Sequence, residues 1–200
     1  MLPERIAETV ASRAVKIASR KAPILGISEF ANVAEAPVEV FDFAEMAASA
    51  AAADGTPLLD SPTAPGDGPM SIQPVGAAFE ALRDAADAYV EQTGAVPVVF
   101  LANIGALAHF TARASFAANA FAAGGIAPAG ETSLGYSDAG AVAEAFKQSG
   151  AAIACICGTD AAYDDNAAAF ASALKAAGAN QVWLAGRGGA AEAGLRQAGV

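Results

Sequence analysis

His109 is the only histidine of the chain, in the stretch Asn103-Ile-Gly105-Ala-Leu-Ala-His109-Phe-Thr-Ala-Arg113. A histidine there could serve as a general base or a metal ligand. Both roles call for a carboxylate or carbonyl that fixes its second ring nitrogen. No aspartate or glutamate lies within a helical turn of His109 on either side, which favours a surface or interface histidine. One histidine excludes a multi-histidine metal site. Gly186-Arg-Gly188-Gly-Ala-Ala191 has the glycine spacing of dinucleotide-binding turns, but nine residues follow it, and the ribose-binding acid belongs about 20 positions further on. Thr159-Asp160 falls where a phospho-receiver keeps functional residues. A receiver also needs acids after its first strand, and the chain has Asn103 and Ile104 there. Asp164-Asp165 reads as a helix cap. With no Gly-x-Ser-x-Gly elbow, paired-acid site or ligand cluster, no catalytic and no metal-binding residues are predicted.

The elements that must position these residues follow a clear order. Val98 to Ala102 is an unbroken apolar run, as in a strand buried on both faces. Strands are predicted at Val98–Ala102, Ile126–Pro128, Ala152–Cys157 and Gln181–Ala185. Helices are predicted at Leu107–Ala123, Asp138–Gln148, Ala162–Ala177 and Ala190–Ala198. Such alternation predicts a parallel sheet with helices on both faces. Ligands of open α/β sheets sit at the carboxyl ends of the strands, so Asn103 to Arg113 is the place to look for a small-molecule site.

Upstream, Pro3, Glu4 and the stripe Ile6, Val10, Ala14, Ile17 predict a first helix. Ile24–Ile27 reads as a short buried strand and Val38–Phe43 as a second extended piece. Ala47–Ala53 is nearly all alanine. Residues 54–75, rich in Pro, Gly, Asp and Ser, read as a linker or excursion. Phe79, Leu82, Ala86 and Tyr89 place an amphipathic helix over Ala77–Glu91. One helix and one strand cannot bury themselves, so the N-terminal piece is expected to need a partner.

A net charge of −10 and a pI near 4.4 argue against non-specific nucleic-acid or anionic-membrane binding. No apolar run approaches the ~20 residues that span a bilayer. Glu4 and Glu8 among the N-terminal cations argue against a transit peptide. Cys155 and Cys157 stand two apart on one strand face, which predicts buried thiols in a reducing compartment rather than a disulfide.

Several blocks in order carry a resemblance: Arg20-Lys-Ala-Pro-Ile-Leu-Gly-Ile-Ser-Glu-Phe30, Phe79-Glu-Ala-Leu-Arg-Asp-Ala-Ala-Asp87, Phe100-Leu-Ala-Asn-Ile-Gly105, Thr111-Ala-Arg-Ala-Ser-Phe116 and Ala152-Ile-Ala-Cys-Ile-Cys157. Together they resemble the C-terminal portion of the small (beta) subunit of bacterial methylmalonyl-CoA mutase. The resemblance implies a remnant of a substrate (β/α) barrel at 1–45, a flexible linker at 46–76 and a connecting helix at 77–95. Residues 96–200 would be a flavodoxin-like, cobalamin-binding-type doubly wound parallel sheet lacking its last strand and helix. The chain would thus be a piece of a longer subunit, truncated at both ends.

The family's catalytic large subunit carries Asp-x-His-x-x-Gly after the first strand, with the histidine as lower cobalt ligand. With His109 at the ligand position, Leu107 and Ala112 stand for the aspartate and glycine. Shifted by one, Phe110 takes the ligand position, flanked by Ala108 and Arg113. Neither register restores the motif. The resemblance therefore implies a vestigial cobalamin pocket around Gly105, His109, Phe110, Thr159, Gly186 and Gly188. It implies a non-catalytic cytoplasmic subunit that binds no cofactor itself. This subunit would form a heterodimer with the large (alpha) subunit, whose adenosylcobalamin serves the interconversion of methylmalonyl-CoA and succinyl-CoA. The alternatives are a cobalamin-binding module with an atypical ligand loop, and an α/β scaffold with no ligand.

Overall fold

The computed structural model describes residues 2–36, 46, 48, 49 and 74–200. The extended piece expected at Val38–Phe43 lies outside the described residues, as do most of the alanine run and of the expected linker. The described residues divide between two compact units.

The first unit contains helix α1, Leu2–Ala18, with Glu4 in its first turn and Lys16 in its last. Both charges complement the helix dipole. The amides of Lys21 and Ala22 close the helix by donating to the Lys16 carbonyl. The second unit comprises Pro23–Val33 and Gly76–Val200.

Ile24–Ile27 is not a buried strand. It forms a tight turn with a single bridge between Leu25 and Glu29, and Leu25 is exposed. The cause is Ser28, which is fully buried and whose Oγ accepts the Ile24 amide at 2.8 Å. Gly26, at φ +76°, lets the backbone curl around that hydroxyl. Arg83 Nη2 donates to the Gly26 carbonyl at 3.0 Å, and the Phe30 amide donates to Asn119 Oδ1 at 2.6 Å. Two distant side chains thus hold this turn.

Helix α2, Ala77–Thr93, precedes the sheet and ends at Gly94, whose amide donates to the Val90 carbonyl. Strands β1 (Val98–Asn103), β2 (Ala127–Ala129), β3 (Ile153–Cys157) and β4 (Gln181–Leu184) form one parallel sheet in the order β2-β1-β3-β4. This order is consistent with a flavodoxin-like fold. The four strands predicted from Val98 onward therefore form, with ends displaced by one residue at most.

The helices between them are α3 (Leu107–Ala122), α4 (Ala139–Ser149), the short α5 (Asp160–Ala162) and α6 (Ala168–Ala176). Tyr163–Ala167 joins α5 to α6 as a π-helical turn. A 3-10 turn, Gly189–Ala191, leads into α7, Glu192–Gln197. Asp138 caps α4, accepting the Ala141 amide at 2.9 Å. Asp164 and Asp165 do not cap a helix. They stand exposed in the π-helical turn, and Thr159 caps α5 by accepting the Ala162 amide.

Alternate residues of β1 and β3 enter opposite cores. Phe100, Ala102, Ala154 and Ile156 pack with Val142, Phe146, Phe170 and Leu174. Val99, Leu101, Cys155 and Cys157 pack with Phe110, Ala114 and Ala117. This two-sided burial is what the unbroken apolar run of β1 encodes. Phe170 is 1% exposed at the centre of the first core. Phe170→Ala should therefore lower unfolding stability by about 3–5 kcal/mol in urea denaturation. A loss under about 1 kcal/mol would show that α6 packs less tightly than described.

Candidate functional site at the carboxyl edge of the sheet

The chain leaves β1 for β2 on one side and later enters β3 on the other. The carboxyl ends of β1 and β3 therefore flank the switch point, where a doubly wound sheet opens a crevice. Its rim consists of Asn103–Ala106, Gly158–Asp160 and the turn after β4.

On the β1 side, Asn103 is fully buried, and its Nδ2 donates to the carbonyls of Thr132 and Leu134 at 2.9 and 3.0 Å. Its Oδ1 is buried without a hydrogen-bond partner among the described residues. The Gly105 amide donates to the Tyr136 carbonyl, and the Tyr136 amide to the Asn103 carbonyl. Gly105 stands at φ +82°. At Gly135, a Cβ would collide with the Gly105 carbonyl and approach Phe110 Cε1 to 2.7 Å. The loop after β2 thus lies directly against the β1 turn.

The two residues tried at the ligand position point to different places. His109 is exposed, and its ring has no hydrogen-bond partner among the described residues. Phe110 is 1% exposed, packed against the sheet. Leu107 is exposed as well. Among the described residues, no group of three or more His, Cys, Asp or Glu could hold a metal ion.

Arg113 runs from α3 into the crevice. Its Nη2 meets Asp160 Oδ1 at 2.5 Å, and its guanidinium carbon lies 4.8 Å from the centroid of the Tyr163 ring. A Cβ on Gly186 would approach that same carbon to 3.3 Å. The hydrogen bond to Asp160 holds the guanidinium above its ordinary pKa. Arg113 Nη1 is buried without a hydrogen-bond partner among the described residues.

Tyr163 anchors the floor. Its hydroxyl accepts the Gly158 amide at 3.1 Å and faces the carbonyls of Ala185 and Ile156 at 2.9 and 3.2 Å. Thr159 spends its hydroxyl on the α5 cap. Gly188 packs so closely on Glu192 that a Cβ would lie 2.9 Å from the Glu192 Cα. The structure therefore brings Thr159 and Gly186 to the Arg113 side of the edge, and places Gly105, His109 and Phe110 on the β1 turn and the start of α3. Sequence reasoning missed the link between Arg113, Asp160 and Tyr163. The first two are 47 residues apart, and no spacing pattern joins them. The adjacency of β1 and β3 was the only signal that could have paired them.

These features define an open parallel α/β domain in which Arg113 reaches from α3 across the carboxyl edge to Asp160 and the Tyr163 ring. No protein-family model matches the chain. It is 43% identical to the methylmalonyl-CoA mutase small subunit of Streptomyces virginiae over 189 residues, 94% of this chain and 27% of that protein. It is 38% identical to the probable methylmalonyl-CoA mutase small subunit of Mycobacterium tuberculosis, covering 92% of this chain and 26% of that protein. For the methylmalonyl-CoA mutase small subunit of Propionibacterium freudenreichii subsp. shermanii, the identity is 30%, covering 88% and 24%. The chain is thus homologous, over nearly its whole length, to the C-terminal portion of methylmalonyl-CoA mutase small subunits. It spans about a quarter of the length of the curated relatives it matches.

Burial raises the pKa of Tyr163 and of Tyr136 above the ordinary 10.0, and the neighbouring Cys155, with burial, pushes the Cys157 thiol up from 9.0. In each case the folded chain holds a proton that the unfolded chain releases first. Their contribution is therefore complete below the ordinary values and is lost as pH rises through the folded ones. Urea midpoints should fall on raising the pH above about 9. Tyr163→Phe should cost about 1–3 kcal/mol at neutral pH by orphaning the Gly158 amide, and should flatten the alkaline decline. A variant with the wild-type midpoint and an unchanged alkaline profile would refute both statements.

Proposed function

We propose that this chain is part of a non-catalytic small subunit of adenosylcobalamin-dependent methylmalonyl-CoA mutase. In this reading it pairs with the catalytic large subunit as a heterodimer and binds no cobalamin. The holoenzyme interconverts methylmalonyl-CoA and succinyl-CoA on the partner's cofactor. The homology to proteins named as small subunits supports the family and the pairing. The reading further takes the beginning of the chain as the end of a (β/α) barrel, followed by a linker.

The observation that carries the non-catalytic assignment is the Arg113 plug. The resident side chains do not fit a cobalamin: Arg113 lies on Tyr163 and against Gly186, and Phe110 is committed to the core. Gly105, Thr159, Gly186 and Gly188 remain as the backbone of a pocket that no longer takes its ligand. His109 stays accessible, but among the described residues no carboxylate orients its second nitrogen, as cobalt ligation ordinarily requires.

Two measurements test the proposal. Hydroxocobalamin or adenosylcobalamin titrated into the purified chain should leave its visible spectrum the sum of the separate components. A stoichiometric spectral change abolished by His109→Ala would instead make the chain a cobalamin module with an atypical ligand loop. A full-length small subunit that contains this sequence, co-expressed with a large mutase subunit, should purify as an equimolar complex. Separate elution of the two would leave the α/β scaffold without a ligand as the better description.

A further inference from the structure

The Arg113 guanidinium sits in the switch-point crevice much as a ligand would. Its carbon lies over the Tyr163 ring, 4.8 Å from the centroid, and Nη2 donates to Asp160. The wall at Gly186 is bare backbone, close enough that a Cβ there would approach the guanidinium carbon to 3.3 Å. Tyr163 cannot swing away, because its hydroxyl is engaged with Gly158, Ala185 and Ile156. An aromatic face, a carboxylate at the rim and a thin glycine wall are the components of a receptor for a flat monocation. A rounded ammonium would fit less well between the ring and the glycine wall, and a neutral ring would lose the carboxylate.

We propose that the crevice is a binding site for a flat monocation, of guanidinium or amidinium class, which Arg113 occupies in cis as an autoinhibitory plug. The receptor surface belongs to β3, β4 and the turns that follow them, and α3 contributes only the plug. The site thus survives removal of its occupant. The partly buried guanidinium exposes 29% of its side chain, so an incoming cation has a path along the rim at Asp160. The proposal concerns this crevice alone and stands whether or not the chain pairs with a mutase subunit.

The test is chemical rescue in the full 200-residue chain with benzamidinium chloride as the probe. Arg113→Ala should melt at a lower temperature than wild type and regain much of the loss in millimolar benzamidinium. Sodium chloride and benzyl alcohol at the same concentrations should restore none of it. Wild type, with its crevice filled, should bind the probe at least about tenfold more weakly. Because Asp160 is largely exposed, Asp160→Asn on the Arg113→Ala background should weaken the probe by about threefold rather than abolish it. If Arg113→Ala does not fold unaided, refolding with benzamidinium but not with sodium chloride supports the site. No rescue in either format, or equal rescue by benzyl alcohol, overturns it.

Discussion

The carboxyl edge of the sheet depends on one hydroxyl. Tyr163 Oη touches the backbone on both sides of the β3 turn and at the end of β4. Tyr163 is 1% exposed, so these polar atoms have no water to fall back on, and an unpaired buried amide costs about 1–3 kcal/mol. The close fit extends to Gly158, where a Cβ would lie 3.3 Å from Tyr163 Cε1. Fixing Tyr163 fixes the ring on which Arg113 lies and the helical entry that presents Asp160. The π-helical turn begins at this residue, so the irregularity in the α5–α6 run coincides with the residue that closes the crevice. Such turns recur at functional positions.

The fold was readable where one physical signal dominated. Val98 to Ala102 is apolar at every position because both sheet faces are covered, and β1 appears there. Asp138 opens the stretch predicted as a helix, and α4 begins one residue later with Asp138 as its cap. The reading failed where a polar residue reorganised the backbone locally. Ile24–Ile27 has strand composition, but the buried Ser28 hydroxyl captures the Ile24 amide and bends the segment into a turn. Asp164-Asp165 failed for a related reason. The capping hydroxyl lies earlier, at Thr159, and the acids fall in a turn whose hydrogen-bond spacing no side-chain pattern announces.

The site was half legible. The stretch from Asn103 to Arg113 was located by strand-turn-helix geometry alone, and Arg113 stands there only as a flank of Phe110 in the shifted register. Its partners were hidden. Asp160 read as an element of a receiver motif, and Tyr163 as nothing at all, because the contact exists only after β3 is laid beside β1. Pairing across a parallel sheet is set by topology, and topology is not written in local spacing.

The edge is closed on two sides by unrelated means, which limits what any single change can open. On the β2 side the closure is backbone: Asn103 holds the Thr132 and Leu134 carbonyls, and Gly135 lies against the Gly105 carbonyl with no room for a side chain. On the β3–β4 side it is one flexible side chain, Arg113, resting on a rigid floor. Backbone closure is part of the folded core and yields only when the β2 loop unfolds. A side-chain plug can leave by rotating about its own bonds, at the cost of one ion pair exposed on its Asp160 side, worth about 0–1 kcal/mol, and one cation–π contact of similar size. The accessible half of the crevice is therefore the half at Tyr163 and Gly186. The half near His109 stays sealed at its base by Asn103 and Phe110, whatever Arg113 does.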